Sequence, residues 1–422
     1  MVSVDHQIAD TFRSVGRLGF SGGIISLSSR PQTTPLPLSQ SAYCTYPRRL
    51  TDLSEWEKLT LVGGNDLARA LSWLVRKFSH LSLERTALDG DVGHIRDHIN
   101  FYRKLRGADP QSFFPVPSAV PSIELTTPHP LTVGEVFDIS FESGYVPTFE
   151  PFREEFARYT ENRTVHARMW RHPKGKSLGR VIAIHGWFMG DQRLNALALA
   201  PGFFFRLGLD VILYELPYHG RRAPGEHGTS QMLFPSSHLV RTNEAMAQAI
   251  YDLRSLALWL ASEDDLPIGV VGVSLGGYTA ALWASLDLLS FAIPIVPLVS
   301  MGEMAWRMLQ ATCSEYADLP FCALLTSVTE KEIDEAYAIH CPLSYQPKVR
   351  TDRRMIIAGL GDSIVPSNQP YSLWEHWEKP CIHWFDGQHL EQMSQREAFN
   401  VVHEFLTSHQ LAHRELLDIR NL

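Results

Sequence analysis

Residues Gly269–Trp283, GVVGVSLGGYTAALW, pass from a β-branched apolar run, through glycines on both sides of a single serine, straight into a helix-forming pattern. An ordinary turn does not need that arrangement. A serine projected from a cramped strand-to-helix corner does, because the backbone two residues either side comes so close that a Cβ there would clash. Gly272-Val273-Ser274-Leu275-Gly276 is a G-x-S-x-G sequence with a buried strand before it and a small-residue helix after it, the context that gives it meaning. That helix also aims its N-terminal N–H groups at the serine and so favours developing negative charge. By itself the sequence fits equally a tight, glycine-lined turn without chemistry.

A serine hydroxyl is a poor nucleophile until a base takes its proton, and the base needs an orienting carboxylate, here sought in the order Ser, Asp, His. Asp362 stands in GLGDSIVP after the apolar run RMIIA, and His389 stands in DGQHL after the run CIHWF. Both fall on short loops at the carboxyl ends of strands, where parallel sheets carry their functional loops. His376 is a further histidine in this part of the chain, His383 lies inside an apolar strand, and His403, His409 and His413 lie in or after the terminal helix. Asp386 is too near His389 to reach around it, and Asp352 precedes its strand. A tetrahedral intermediate also needs donors for its oxyanion. The backbone N–H of Leu275 is one candidate, and that of Trp187, in the loop His185-Gly186-Trp187-Phe188, is the other. His185 is read as a brace for that loop.

Outward from this corner the chain alternates strands and helices. Gly134–Ser143 and Arg163–Pro173 alternate as paired edge strands. The runs at Arg180–Gly186, Asp210–Pro217, Ile268–Ser274, Phe291–Val299, Arg354–Asp362 and Cys381–Gly387 are apolar on both faces. Such strands belong to a parallel sheet covered by helices. LVRTNEAMAQAIYDLRSLALWL, with Leu239, Met246, Ile250, Leu253 and Leu260 on one stripe, and SQREAFNVVHEFL supply two of those helices. A mostly parallel, doubly wound α/β sheet follows. Phe203, Phe204 and Phe205 are read as core.

The chain divides near Pro130. Residues 1–130 form a helical and proline-rich extension, with amphipathic helices at Asp66–His80 and Asp91–Arg106, a Pro/Ser/Thr-rich loop at Pro31–Pro47, and six prolines between Pro110 and Pro130 that forbid a helix. The extension is expected to pack on the catalytic domain, residues 131–422. Within that domain, 301–345 is inserted on the active-site side and is rich in Trp, Met, Leu and Phe. It reads either as a lid over an apolar acyl pocket or as packing on the sheet.

The chain has 422 residues, 45% of them hydrophobic, and a formal charge of −8 with no long basic run. Nucleic acid and anionic membrane are therefore poor candidates for its main partner. Five cysteines, an odd number with no C-x-x-C pair, indicate neither a disulfide framework nor a zinc site, so a reducing, cytoplasmic setting is expected. No transmembrane run and no signal segment are read, so the N-R-T at Asn162 is taken as chance.

The strand, HGW, G-x-S-x-G, GD-x-x-x-P and GQHL in this order, from about Gly134 onward, resemble the α/β-hydrolase superfamily. ELPYHGRRAPGEHGTSQMLFPSS, LPIGVVGVSLGGYTAALWAS and IPIVPLVS look like its α/β-hydrolase-domain-containing type 18 group, although that group carries Ser-Met-Gly-Gly where this chain has Ser274-Leu275-Gly276-Gly277. The resemblance implies hydrolysis of a small-molecule or lipid-like acyl substrate with no metal or organic cofactor. Acyl transfer through the same acyl-enzyme, and a non-catalytic ligand-binding protein on the same fold, are the competing readings.

Overall fold

The computed structural model describes residues 92–225, 233–236, 238–315, 328–387, 389 and 396–413. The helix expected at Asp66–His80, the loop at Pro31–Pro47 and part of the 301–345 insertion lie outside them. The strands are β1 (Glu124–Leu125), β2 (His129–Pro130), β3 (Glu135–Glu142), β4 (Thr164–Arg171), β5 (Gly179–Ile184), β6 (Leu209–Tyr214), β7 (Ile268–Val273), β8 (Ala292–Ile295), β9 (Met355–Gly359) and β10 (Cys381–Phe385). The helices are α1 (Val92–Arg106), α2 (Arg153–Arg158), α3 (Gln192–Leu199), α4 (Pro201–Arg206), α5 (Leu239–Glu263), α6 (Leu275–Leu286), α7 (Met301–Glu315), α8 (Glu330–Tyr337), α9 (Asn368–His376) and α10 (Arg396–Ser408).

The sheet runs β1-β3-β4-β6-β5-β7-β8-β9-β10, with β2 also on β3. From β6 to β10 every pairing is parallel, and β3, β4 and β6 are joined antiparallel. This is the α/β-hydrolase fold, and the apolar runs predicted as buried strands are β5 to β10, with β10 at the edge of the sheet. Strands β5, β6 and β9 are buried at every residue because helices cover both faces. Pro294 sits inside β8 and has no N–H to give, and the registered β8–β9 ladder is reduced to Ile295 opposite Ile357, with an isolated bridge from Ala292 to Arg354.

The expected edge pair, β3 and β4, is flanked rather than terminal, because β1 and β2 at the end of the proline-rich connector add to β3. The connector also drives Phe113 and Phe114 into the core cluster that holds Ile184 and Leu275, along with Ile99 and Tyr102 of α1. Phe203 and Phe204 are buried under the other face, as expected, and Phe205 stacks on His172 at 3.9 Å.

Helix α5 departs from the expected single stripe. Its polar residues Glu244, Gln248 and Asp252, at every fourth position, are fully buried with the apolar ones. Each has partners from another segment. Glu244 accepts hydrogen bonds from the Tyr102 and Tyr145 hydroxyls and from the N–H groups of Thr148 and Phe149. Gln248 takes the Asn162 amide, and Asp252 takes the Ser143 hydroxyl and Arg222. Asn162 itself is fully buried, so it offers no acceptor for a glycan on the folded surface.

The cysteine reading needs a correction. Cys341 is free, but Cys313 and Cys381 are each disulfide-bonded. Pairing depends on how the fold brings Cβ atoms together, which spacing along the chain does not reveal. The expectation of a reducing compartment therefore loses its premise. No described helix is long and apolar enough to cross a membrane.

Candidate active site

Ser274 ends β7 and opens α6 in a conformation that side chains rarely adopt, φ 58° and ψ −113°. A non-glycine residue there costs on the order of 1–3 kcal/mol, which persists only when the surroundings enforce it. The enforcement comes from close backbone approach. A Cβ on Gly272 would lie 2.0 Å from the Gly276 carbonyl oxygen, and a Cβ on Gly276 would lie 2.0 Å from that of Ile184. The corner is then fastened by the Ser274 N–H on Ile295 O at 2.9 Å, while the Ser274 carbonyl accepts from Tyr278 N–H at 2.9 Å. Leu275, buried, is the first residue of α6, so its N–H is among those that lack an intrahelical acceptor.

Asp362 follows β9 and His389 follows β10. Their loops are drawn together where Leu360 and Gly361 donate to the carbonyls of Phe385 and Gly387. His389 Nδ1 meets Asp362 Oδ2 at 2.6 Å, and both residues are buried. The other carboxylate oxygen accepts the N–H groups of Ile364 and Val365 at 2.9 and 2.8 Å. The carboxylate is thus held in place from one side while the other fixes the imidazole, with Nδ1–H donating and the lone pair on Nε2. Of the rival residues, His383 is buried in β10 and Asp352 lies before β9.

The loop after β5 lies against this corner. A Cβ on Gly186 would stand 3.4 Å from the Ser274 Cβ. Trp187 stacks on Phe188 at 4.2 Å. His185 is fully buried, which pushes its imidazole down to about 4 and keeps it neutral. Its Nε2 accepts the Leu216 N–H at 3.1 Å, so Nδ1 carries the proton and donates to the Gly186 carbonyl at 2.8 Å. This geometry is that of a brace.

One joint was not singled out from the sequence. The Tyr278 hydroxyl, on the first turns of α6, bonds His340 Nδ1 at 2.6 Å, and His340 Nε2 bonds Asn243 Oδ1 at 3.0 Å. Burial pushes His340 down to about 3, so it stays neutral and accepts from Tyr278. The only trace in the sequence is a tyrosine inside a run of glycines and alanines. A cavity of about 750 Å³ opens beside this insertion, lined by Arg106, Ser300, Glu303, Lys331, Asp334 and Cys341 among others. That lining is charged, unlike an acyl pocket, and includes none of Ser274, Asp362, His389 or Trp187. Among the described residues, no group of three or more His, Cys, Asp or Glu could hold a metal ion.

Residues 150–354 match the family model described as alpha/beta hydrolase domain containing 18. The match makes this segment similar to the type 18 group of α/β-hydrolase domains. Two uncharacterized proteins of Mycobacterium tuberculosis, from strains CDC 1551 and H37Rv, are each 34% identical over 262 residues, covering 60% of this chain and 59% of theirs. The chain thus spans 59% of the length of the curated relatives it matches. Among solved structures, acetyl xylan esterase 1 from Thermoanaerobacterium sp. is similar at 15% identity and a TM-score of 0.49, over 74% of this chain and 99% of that one. An esterase of Pyrococcus furiosus is similar at 20% identity and a TM-score of 0.38, over 58% of this chain and 87% of that one. The matched segment begins after β3, so the match leaves out α1 and the connector, and it ends before the strands that Asp362 and His389 follow.

Proposed function

We propose that the chain is a serine hydrolase that cleaves a carboxylic ester or thioester through an acyl-enzyme on Ser274. The observation that carries the reading is the 2.6 Å contact from His389 Nδ1 to Asp362 Oδ2, which leaves Nε2 as the basic nitrogen, on loops at the same end of the sheet as the strained serine. Nε2 takes the serine proton as Oγ attacks the carbonyl and returns it to the leaving group. Asp362 stabilises the imidazolium in between. The backbone N–H groups of Leu275 and Trp187 receive the oxyanion. Water then attacks the acyl-enzyme by the same proton path in reverse.

The insertion 301–345 serves as a lid in this reading. Support comes from its place after β8 and from its own packing, since a Cβ on Gly302 of α7 would lie 2.4 Å from the Asp334 Cα of α8. It is fastened to the corner helix by Tyr278 and His340. Helix α1 reaches it through the ion pairs Arg96–Glu332 and Arg103–Glu335. The test is a panel of p-nitrophenyl esters of increasing chain length, with a thioester and an anilide, together with covalent labelling by a fluorophosphonate. Turnover of at least one ester and labelling at Ser274 are expected. Absence of both would make the fold a ligand-binding one.

A further inference from the structure

One segment, Glu215–Arg222, grips the loop after β5 at both of its ends. At the near end the Leu216 N–H holds His185, which in turn holds the Gly186 carbonyl. In a planar trans peptide the C=O of Gly186 and the N–H of Trp187 point opposite ways. Holding that oxygen on the His185 side therefore aims the Trp187 N–H away from it. At the far end Gly190 backs onto Gly220: a Cβ on Gly190 would lie 2.4 Å from Gly220 N, and one on Gly220 would lie 2.4 Å from Gly190 O.

Glu215 joins these two contacts. Its carboxylate is fully buried, and Oε1 accepts from Gln192 Nε2, on the first residue of α3, at 2.6 Å. Arg221 supplies the counter-charge, with Nε on Oε1 at 2.9 Å and its own N–H on Oε2 at 3.1 Å. The same carboxylate thus holds the far end of the loop and folds 215–221 into the shape that presents the Leu216 N–H to the near end. Since Gly186 lies against Ser274, a displacement of this loop changes the distance from the Trp187 N–H to any oxygen on a carbonyl attached there.

We propose that Glu215 is a positioning residue for the oxyanion loop, setting the aim of the Trp187 N–H through Gln192, Gly220 and Leu216. This rests on the reading of Ser274 as nucleophile. Misaim of the loop and loss of folded protein both lower activity, so the test separates rate per site from the number of sound sites. The full chain and its Glu215→Gln and Gln192→Leu variants are titrated to completion with a fluorophosphonate, and ester hydrolysis is then expressed per titrated serine. Loss of a whole oxyanion donor costs on the order of 10²–10³ in kcat, so misaim of one is expected to cost about 10- to 100-fold. KM should change little, and the pH profile should keep its shape, because the base is untouched.

Variants that lose titre in proportion to activity, with surviving sites at the wild-type rate, would overturn the proposal, and so would unchanged turnover in both. Gln192→Leu, at a partly exposed position, is decisive in the same way where Glu215→Gln does not fold. Failure of the wild-type chain to label at Ser274 would instead remove the reading of the nucleophile, and this proposal with it.

Discussion

Asp362 and Asp252 are both buried carboxylates held by a nitrogen base, and they behave differently because of what holds them. Asp362 faces an imidazole, a group whose proton can leave, and its second oxygen rests on two backbone N–H groups. Asp252 faces Arg222, fully buried at 2.7 Å and permanently charged, with the Ser143 hydroxyl completing the joint. One pairing is suited to moving a proton. The other fixes four chain segments, because Arg222 also donates to the carbonyls of Asn162 and Glu215 and to the Tyr214 hydroxyl. The contrast separates substitutions that should unfold the chain from those that should only silence it.

The largest effect on stability is expected at the fixed joint. Asp252→Leu leaves Arg222 as an uncompensated buried cation, at a cost of about 3–5 kcal/mol. The urea midpoint should fall accordingly, and an unchanged midpoint would mean that the pair is not a joint. Next comes Gly276→Ala at the serine corner. Its new Cβ would meet the Ile184 carbonyl at 2.0 Å, so the strand or the helix must shift, at about 1–3 kcal/mol. Ester turnover should be lost along with it, since the start of the loop proposed to receive the oxyanion, at His185, is displaced too. A variant with full activity would contradict the close approach.

These two sites also differ in how readable they are. The corner is legible because its steric demands fall on Gly272, Gly276 and Gly277 within one short stretch, and the order of Asp362 and His389 after apolar runs then locates the rest. The polar stripe of α5 is not. Its partners Tyr102, Asn162 and Ser143 stand 142, 86 and 109 residues away from Glu244, Gln248 and Asp252, so a helix buried all round from Leu239 to Ile250 reads as one with a solvated face. The disulfide bonding of Cys313 and Cys381 and the burial of Glu215 likewise depend on what the fold brings together, which the order of residues does not show.

A smaller effect concerns pH. Burial holds His185 at about 4 and His219 and His340 at about 3, against an ordinary 6.5. The unfolded chain therefore takes up protons below about pH 6.5 that the folded chain refuses. Stability is complete above that value and is lost as pH falls towards 4 and 3. Glu155, held near 2 against a usual 4.5 by His238, Tyr159 and Arg241 in spite of its burial, adds to the loss only at lower pH. Thermal unfolding should thus already weaken between about pH 7 and pH 5, and His340→Gln should flatten that slope. A Tm that is flat over this interval would mean that the histidines are not buried neutral.

The smallest stability change, and the most direct test, is Ser274→Ala. The side chain lies half-buried at a corner, so the unfolding free energy should change by no more than about 0.5 kcal/mol, while the rate of ester hydrolysis falls by several orders of magnitude. The measurement is kcat/KM for the best ester of the panel in the wild-type chain and in Ser274→Ala, each matched to its unfolding curve. A folded variant with the rate abolished is the predicted result. A folded variant that hydrolyses the ester at a comparable rate would contradict the account.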